Sequence, residues 1–281
     1  NDLHSRGSFR AFEHAGSADK FAYTHRGGKW ATFYDEPAKL AQLAFFDRYL
    51  RGLQTPEPPR VRLEVRETGS LVAEVRDERE WPLARTEWTP WYLGAGGALS
   101  ASPVTAAGSV AFHTRRRAAA FSMTFGETTE LIGPMSLRLW VSVDRGDDVD
   151  LVAGVEKWRD GRYVGFEGSY GFGRDRVATG WQKASLRELD EVASRAGEPV
   201  HTFVSPQPLT PSEIVPVDIA LGPSSTIFRP GDTLRLVVGG RWLWPVNPLT
   251  GNFPARYVGM PQTRCTLHWG PEMPAHLLLP R

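Results

Sequence analysis

The sequence predicts a mainly β protein, a jelly-roll β-sandwich preceded by a shorter segment of α/β character. Apolar and polar residues alternate strictly over residues 61–65, and this period of two is typical of a half-buried strand. The 28 glycines and 22 prolines among 281 residues indicate many turns between short strands. Helical apolar spacing is scarce after residue 55, where residues 184–193 are the one ambiguous piece.

The N-terminal segment begins with a predicted helix over residues 5–15, which Gly16 and Ser17 end. Residues 21–23 form an apolar run that predicts a short buried strand. This strand leads into residues 24–30, a Gly-rich loop that carries His25 and is followed by a helix.

The next helix has the clearest signals in the chain. Asp35 is the predicted N-cap, Pro37 falls in the first turn, where its missing N–H does no harm, and Gly52 is the predicted C-cap. Arg48 and Arg51 stand in the last turn, where the helix dipole favours positive charge. An apolar stripe at three- and four-residue spacing is formed by Leu40, Leu43, Phe46, Leu50 and Leu53, widened by Phe45 and Tyr49.

Residues 54–59 contain three prolines and predict a semi-rigid linker. We therefore predict two domains, residues 1–55 and residues 60–281. Beyond the linker, strands are predicted at residues 118–124, 135–143, 149–155, 163–167, 215–221, 233–238 and 266–269. Turn signals separate them at residues 94–97, 133–134, 144–147, 159–161 and 230–232.

Bulk properties exclude several classes of protein. The formal net charge of +1 provides no strong field for nucleic acid or an anionic membrane, and no apolar run reaches the length of a membrane span. The single Cys265 excludes an internal disulfide. It suits a reducing compartment, so we expect a cytoplasmic protein, although an exported protein without disulfides fits the same count. The chain opens on Asn1 without the pattern of a signal peptide, which is typical of a segment from a longer protein.

His25 is the strongest candidate for chemistry, because a histidine after a short strand is where an α/β-type serine hydrolase holds its general base. The alternative is a structural role, in which this loop histidine only forms a hydrogen bond with the backbone. None of the serines has glycine at both minus two and plus two, so the chain lacks a G-x-S-x-G nucleophile turn. The remaining histidines show no metal-ligand spacing.

Three weaker candidates have structural explanations that we favour. Four carboxylates in one loop could bind Ca²⁺, but they more often belong to a solvated loop: Asp144, Asp147, Asp148 and Asp150. Trp242, Trp244 and Tyr257 could stack on a sugar, but such aromatics more often fill a core or interface. Residues 115–117 are a short basic run and residues 171–173 a glycine turn, without the context of a nucleic-acid or phosphate site.

An ordered set of stretches extends over nearly the whole chain: residues 3–9, 24–30, 45–52, 80–83, 91–93, 129–134, 137–142, 184–190, 227–236 and 277–280. Together they resemble the C-terminal part of the CocE/NonD hydrolases, relatives of the X-Pro dipeptidyl-peptidases and α-amino-acid ester hydrolases. The resemblance implies an α/β-hydrolase remnant followed by a galactose-binding-like jelly roll.

The resemblance also implies a role for His25 as the general base of a serine hydrolase that cleaves a small ester or amide without a cofactor. The serine nucleophile would lie in an upstream segment. The carboxylate residue of the triad would lie just before Asn1, and Asp2 is a poor substitute for it. His4 is a rival to His25 for the role of base. We expect this chain to be inactive alone. Two alternatives stay open: a module that binds a carbohydrate or partner domain, and a structural support that forms oligomers. In each case the apolar face of residues 1–55 should pack on the sandwich, a second copy or an absent polypeptide.

Overall fold

The computed structural model describes residues 5–25, 27, 29–166, 174–243 and 262–281. Three α-helices lie in the described part of the N-terminal segment: α1 (Ser5–His14), α2 (Lys29–Phe33) and α3 (Glu36–Arg51). Fifteen strands are found in the same ranges: β1 (Ala22–Tyr23), β2 (Val61–Arg66), β3 (Val72–Glu78), β4 (Trp88–Gly94), β5 (Ala98–Ser100), β6 (Gly108–His113), β7 (Ala118–Thr124), β8 (Thr129–Val143), β9 (Asp150–Arg159), β10 (Arg162–Val164), β11 (Ala178–Lys183), β12 (Val215–Phe228), β13 (Thr233–Gly239), β14 (Arg264–Trp269) and β15 (His276–Pro280).

The mainly β, sandwich-like fold is as predicted. Hydrogen-bonded neighbours run in the order β1-β2-β12-β8-β15-β4-β5-β7-β13-β9-β10, with β11 on β9, β14 between β6 and β8, and β3 on β2. Apolar side chains of β8, β12, β14 and β15 meet those of β7, β9 and β13 in one buried core. Cys265 lies in this core, where burial raises the pKa of its thiol to about 12.

All the strands predicted within described residues are present, but several strand limits and one turn differ. The turn predicted at Gly133-Pro134 is wrong, because both residues lie inside the long strand β8. Opposite Gly133, which has φ 143°, the register of β12 shifts between Leu221 and Ser224. A bulge therefore bends the strand pair at the point where the glycine signalled a break.

The helix caps of α3 are confirmed. Asp35 Oδ1 accepts a hydrogen bond from the Ala38 N–H at 2.9 Å, and Gly52 ends the helix in the left-handed region at φ 66°. The ambiguous stretch 184–193 is a single 3-10 turn, Ala184–Leu186, followed by turns. The described residues contain no helix long and apolar enough to span a membrane.

The N-terminal elements attach unequally to the sandwich. The predicted division at residues 55–60 stays a prediction; across it β1 pairs in parallel with β2, Ala22 opposite Val61. Helix α1 packs beside β12, whereas only Ala38 of α3 is buried. The apolar stripe of α3 is left exposed, with Leu50 77% and Leu40 55% accessible. Of residues 1–55, which were expected to pack on the sandwich, a second copy or an absent polypeptide, α1 packs on the sandwich, whereas the stripe of α3 does not.

A buried ion pair joins the strands of the sandwich. The Nζ of Lys157 on β9 lies 3.0 Å from Asp232 Oδ2, and both side chains are almost wholly inaccessible. Lys157 also donates to the carbonyls of Glu67 at 2.9 Å and Ile227 at 2.6 Å. Each of the three N–H donors of the ammonium therefore has an acceptor: one in the residue after β2, one in β12 and one in the β12–β13 turn.

Two arginines extend this pair to the surface. Arg159 donates to both oxygens of Asp232, at 2.6 and 2.9 Å, and Arg229 donates to Glu67 at 2.8 Å. Burial lowers the pKa of Lys157, opposed by Asp232. Burial acts to raise the pKa of Asp232, but hydrogen bonds from Arg159, the Arg229 N–H and Lys157 outweigh it and hold the pKa below its usual value.

We expect Asp232→Asn to lower the free energy of unfolding by about 3 kcal/mol, because it leaves the Lys157 ammonium buried without a counter-charge. Urea denaturation measures this loss. The difference in unfolding free energy between the variant and the parent protein should be largest above about pH 4. It should shrink as the pH falls through the lowered pKa of Asp232. Asp160→Asn, the same change on an exposed turn, is the control. Equal stability of both variants would contradict a structural role for the pair.

Candidate active site

His25 is positioned by the backbone that precedes it. The Thr24 N–H donates to the Arg62 carbonyl at 3.0 Å, and the Thr24 carbonyl accepts from Arg62 Nη1 at 2.8 Å. The Thr24 hydroxyl oxygen accepts from the Glu64 N–H at 2.9 Å. These bonds attach the residue before His25 to β2, so the position of the imidazole follows from the parallel pairing of β1 and β2.

The expected buried strand before His25 is present but not buried. Tyr23 is 37% exposed, and the guanidinium of Arg62 lies 4.4 Å above its ring. The prediction of burial is wrong because β1 pairs with β2 along one edge and has no other strand partner among the described residues.

The imidazole of His25 is half-buried, and its Nδ1 lies 3.0 Å from the Gly27 carbonyl oxygen. In the tautomer with the proton on Nδ1, this nitrogen donates to Gly27 and Nε2 keeps its lone pair. That is the arrangement a general base needs, because the second nitrogen must be free to accept a proton. The same bond is also what a purely structural loop histidine would make.

His25 opens onto a cavity of about 830 Å³ between the N-terminal segment and the sandwich. Its walls are α1, the end of β1, the outward face of β2, β11 and the bulge of β12. The close approach of β11 and β12 requires Gly180, since a Cβ there would lie 2.1 Å from the Ala220 carbonyl oxygen. A volume of this size fits a small organic molecule.

Helix α1 forms one wall and is held by three contacts. Phe9 stacks on Trp81 with ring centroids 4.3 Å apart. Lys20 Nζ donates to the carbonyls of Glu13 and Ala15 at the helix C-terminus, at 2.8 and 3.0 Å. The Glu13 carboxylate pairs with Arg195 of the sandwich. The helix therefore rests on the sandwich through an aromatic stack and an ion pair.

The weaker candidates lie elsewhere. Asp144 accepts from Thr263 and Arg264, and Asp148 from Ser185 and Lys183. Among described residues no group of three or more His, Cys, Asp or Glu could hold a metal ion. The basic run forms an exposed turn: Arg115, Arg116 and Arg117.

The aromatic candidate is only partly within the described chain. Trp242 packs edge-on against Trp181 at 5.8 Å, at one end of the cavity wall. Outside the described residues lie Asn1, Asp2, His4, Trp244, Tyr257 and the turn at residues 171–173.

Sequence reasoning missed the arginines that line the cavity: Arg6, Arg10 and Arg66. A signal for Arg66 was available in the alternation of β2. Val61, Leu63 and Val65 point into a core, so the intervening residues must line the opposite face. What that face meets could not be read from the alternation, because it depends on how α1 folds back over the sheet.

The chain is similar to several known proteins. A family model of the X-Pro dipeptidyl-peptidase C-terminal non-catalytic domain matches residues 55–243. The cocaine esterase of Rhodococcus sp. (strain MB1 Bresler) is 27% identical over 298 residues, covering 89% of this chain and 47% of that protein.

Among solved structures, a CocE/NonD family hydrolase from Staphylococcus aureus superposes with a TM-score of 0.94 at 34% identity, covering 99% of this chain and 52% of that one. An α-amino acid ester hydrolase has a TM-score of 0.59 at 20% identity, covering 84% of this chain and 43% of its own, and shares the fold. The chain thus spans about half the length of the relatives it matches.

We expect Phe9→Ala to release α1 from the sandwich, because it removes a stacked ring and opens a cavity under the helix. The local free energy of opening should fall by about 2 kcal/mol, less than for a fully buried ring because Phe9 is half-buried. Amide hydrogen exchange of residues 5–25 measures it. Phe203→Ala, at a ring that is 61% exposed, is the control. Unchanged protection of residues 5–25 in Phe9→Ala would contradict the anchoring role.

Proposed function

The chain belongs to the family of X-Pro dipeptidyl-peptidase C-terminal domains and corresponds to the C-terminal part of CocE/NonD hydrolases, and from that premise we propose that it works as part of a serine hydrolase. The relatives named are hydrolases. In the proposed reaction the enzyme cleaves a small ester or amide through an acyl-enzyme.

His25 is the general base in this proposal. It takes the proton of the attacking serine at Nε2 and returns it to the leaving group. The observation that carries the proposal is that His25, in the loop after β1, lines the cavity and that its Nδ1 is engaged by the Gly27 carbonyl. In an assembled enzyme a carboxylate would take the place of the Gly27 carbonyl and stabilise the imidazolium.

The serine and the acid are supplied by a polypeptide segment upstream of this chain. Two observations support such a partner. The chain covers about half of its relatives, and it contains no G-x-S-x-G turn. A base without a nucleophile and oxyanion hole retains little catalysis, so the chain alone should be inactive.

The exposed apolar face of α2 and α3 is the proposed docking surface for that segment. It consists of Trp30, Phe33, Leu40, Leu43, Phe46 and Leu50, each more than half exposed. Soluble proteins seldom expose a contiguous patch of this kind without a partner. A second copy of the chain is the competing occupant, and it corresponds to the homo-oligomer considered from the sequence.

A second candidate is a non-catalytic binding module. It is favoured by the family match, because that family is a C-terminal non-catalytic domain. In that case the sandwich would recognise a carbohydrate or support the neighbouring domain. The two candidates differ in one respect: only the first requires His25 for turnover.

We expect His25→Asn, in the protein extended by its upstream segment, to lower kcat for p-nitrophenyl acetate by a factor on the order of 10⁴ or more. KM should change little, because the histidine acts on the serine proton. His276→Asn is a matched control, since its Nδ1 also bonds a backbone carbonyl two residues away, that of Pro274.

A fluorophosphonate probe separates the possible outcomes. It should label the extended protein on a serine upstream of Asn1 and leave the 281-residue chain unlabelled. Full turnover by His25→Asn, or labelling of the 281-residue chain itself, would show that the proposed mechanism is wrong.

For the docking surface, we expect the double variant Leu43→Glu, Leu50→Glu to reduce co-purification of the chain with a separately expressed upstream segment at least tenfold. Two buried carboxylates in an apolar interface carry a large desolvation cost. Val192→Glu, Val204→Glu places the same charges at residues that are 98% and 76% exposed. Loss of self-association without any effect on co-purification would assign the face to a second copy.

A further inference from the structure

Three arginines line the cavity that His25 also lines. Arg6 and Arg10 stand one turn apart on α1, and Arg66 lies at the end of β2 on the opposite wall. Arg6 is exposed at the rim, whereas Arg10 and Arg66 are half-buried. Arg6 and Arg10 carry like charges four residues apart on one helix, so they repel each other.

Within the described part of the chain, the two helix arginines have no ion-pair partner. Among the described residues, no carboxylate oxygen lies within 4 Å of Arg6 or Arg10. Burial lowers the pKa of Arg6, and the charge of Arg10 lowers it further, with Glu198 opposing from a distance. Neither guanidinium is therefore neutralised by a close carboxylate of the described residues, and both add positive charge to the cavity wall.

Arg66 is held by neutral oxygens. Its Nη2 donates to the hydroxyls of Thr226 at 3.2 Å and Ser224 at 3.4 Å, and its Nε to the Ser225 carbonyl at 3.4 Å. The guanidinium lies 4.7 Å from the Phe166 ring. These contacts orient the group and leave Nη1 without a bond to any described residue, so two N–H donors remain for a ligand.

Arg66 stays protonated at neutral pH. Burial lowers its pKa to about 10, with Asp175 opposing the shift. Among the described lining residues, Glu64 supplies the carboxylate, and its Oε1 lies 3.0 Å from Nη1 of Arg62. The net charge of the cavity wall is therefore positive.

Aromatic side chains contribute to the wall beside small and hydroxyl-bearing residues, among them Phe12, Phe21, Tyr23 and Trp181. A guanidinium binds a carboxylate through two parallel hydrogen bonds, and aromatic walls favour an apolar body. We propose that this cavity binds a small carboxylate with an apolar, aromatic-sized body, whose anionic group pairs with Arg66, while Arg6 and Arg10 add positive charge from the α1 wall. The site does not depend on His25 acting as a base.

Isothermal titration of the 281-residue chain with 3-phenylpropionate tests the proposal. We expect saturable binding with a Kd of about 1 mM or tighter. The neutral isostere 3-phenylpropionamide should bind at least tenfold more weakly, because it cannot pair with the arginines. Affinity for the acid should fall as salt is added, since partly exposed charges are screened.

Arg66→Met keeps most of the side-chain volume and removes the charge, and we expect it to weaken binding at least tenfold. Arg116→Met makes the same change in an exposed turn and should bind like the parent protein. If Arg66→Met does not fold, as judged by circular dichroism, Arg10→Gln decides instead. That helix-surface change should weaken binding at least threefold.

Three results would overturn the proposal. One is equal affinity for the acid and its amide. Another is unchanged binding in Arg10→Gln together with Arg66→Met. The third is inorganic phosphate or hexaglutamate binding as tightly as 3-phenylpropionate, because the apolar walls would then contribute nothing and the cavity would accept anions or acidic protein segments in general.

Discussion

The buried pair of Lys157 and Asp232 is the interaction on which the arrangement of this protein depends. Its ammonium joins β9 to carbonyls at the ends of β2 and β12, and Arg159 and Arg229 continue the contact to Glu67. Strand β2 is thereby held against the sandwich at one end. The other end of β2 pairs with β1, so the location of His25 depends on the same strand.

Helices α1 and α3 differ in how much of their apolar surface packs within the chain, and this difference bears on function. Helix α1 satisfies its apolar face within the chain, through Phe9 on Trp81. Helix α3 has clear caps but buries only Ala38. Helix α3 contacts Phe21 through Phe45 and Tyr49 but leaves most of its apolar stripe exposed, as expected when an element packs on a partner. The proposed upstream segment would meet this face and complete the site around His25.

Much of the fold could be predicted because its signals are local. Strict alternation marked β2, and Asp35, Pro37 and Gly52 marked the ends of α3. The failures came from features set at long range. Gly133 and Pro134 suggested a turn, yet pairing with β12 carries the strand through them as a bulge. His25 was found as a candidate from its loop, whereas the arginines of the cavity were missed because Arg66 is far in sequence from Arg6 and Arg10.

The sequence by itself determined the fold class, the helix caps and the candidacy of His25, because these depend on spacing between near neighbours and on a resemblance that the family match then bore out. Only the tertiary structure decided what each face meets. The polar side of β2 became a cavity wall because α1 returns across it. Arg66 became a half-buried cation because oxygens of β12 and the ring of Phe166 pack around it. Burial and charge at a site are sums over distant segments, and no local pattern contains them.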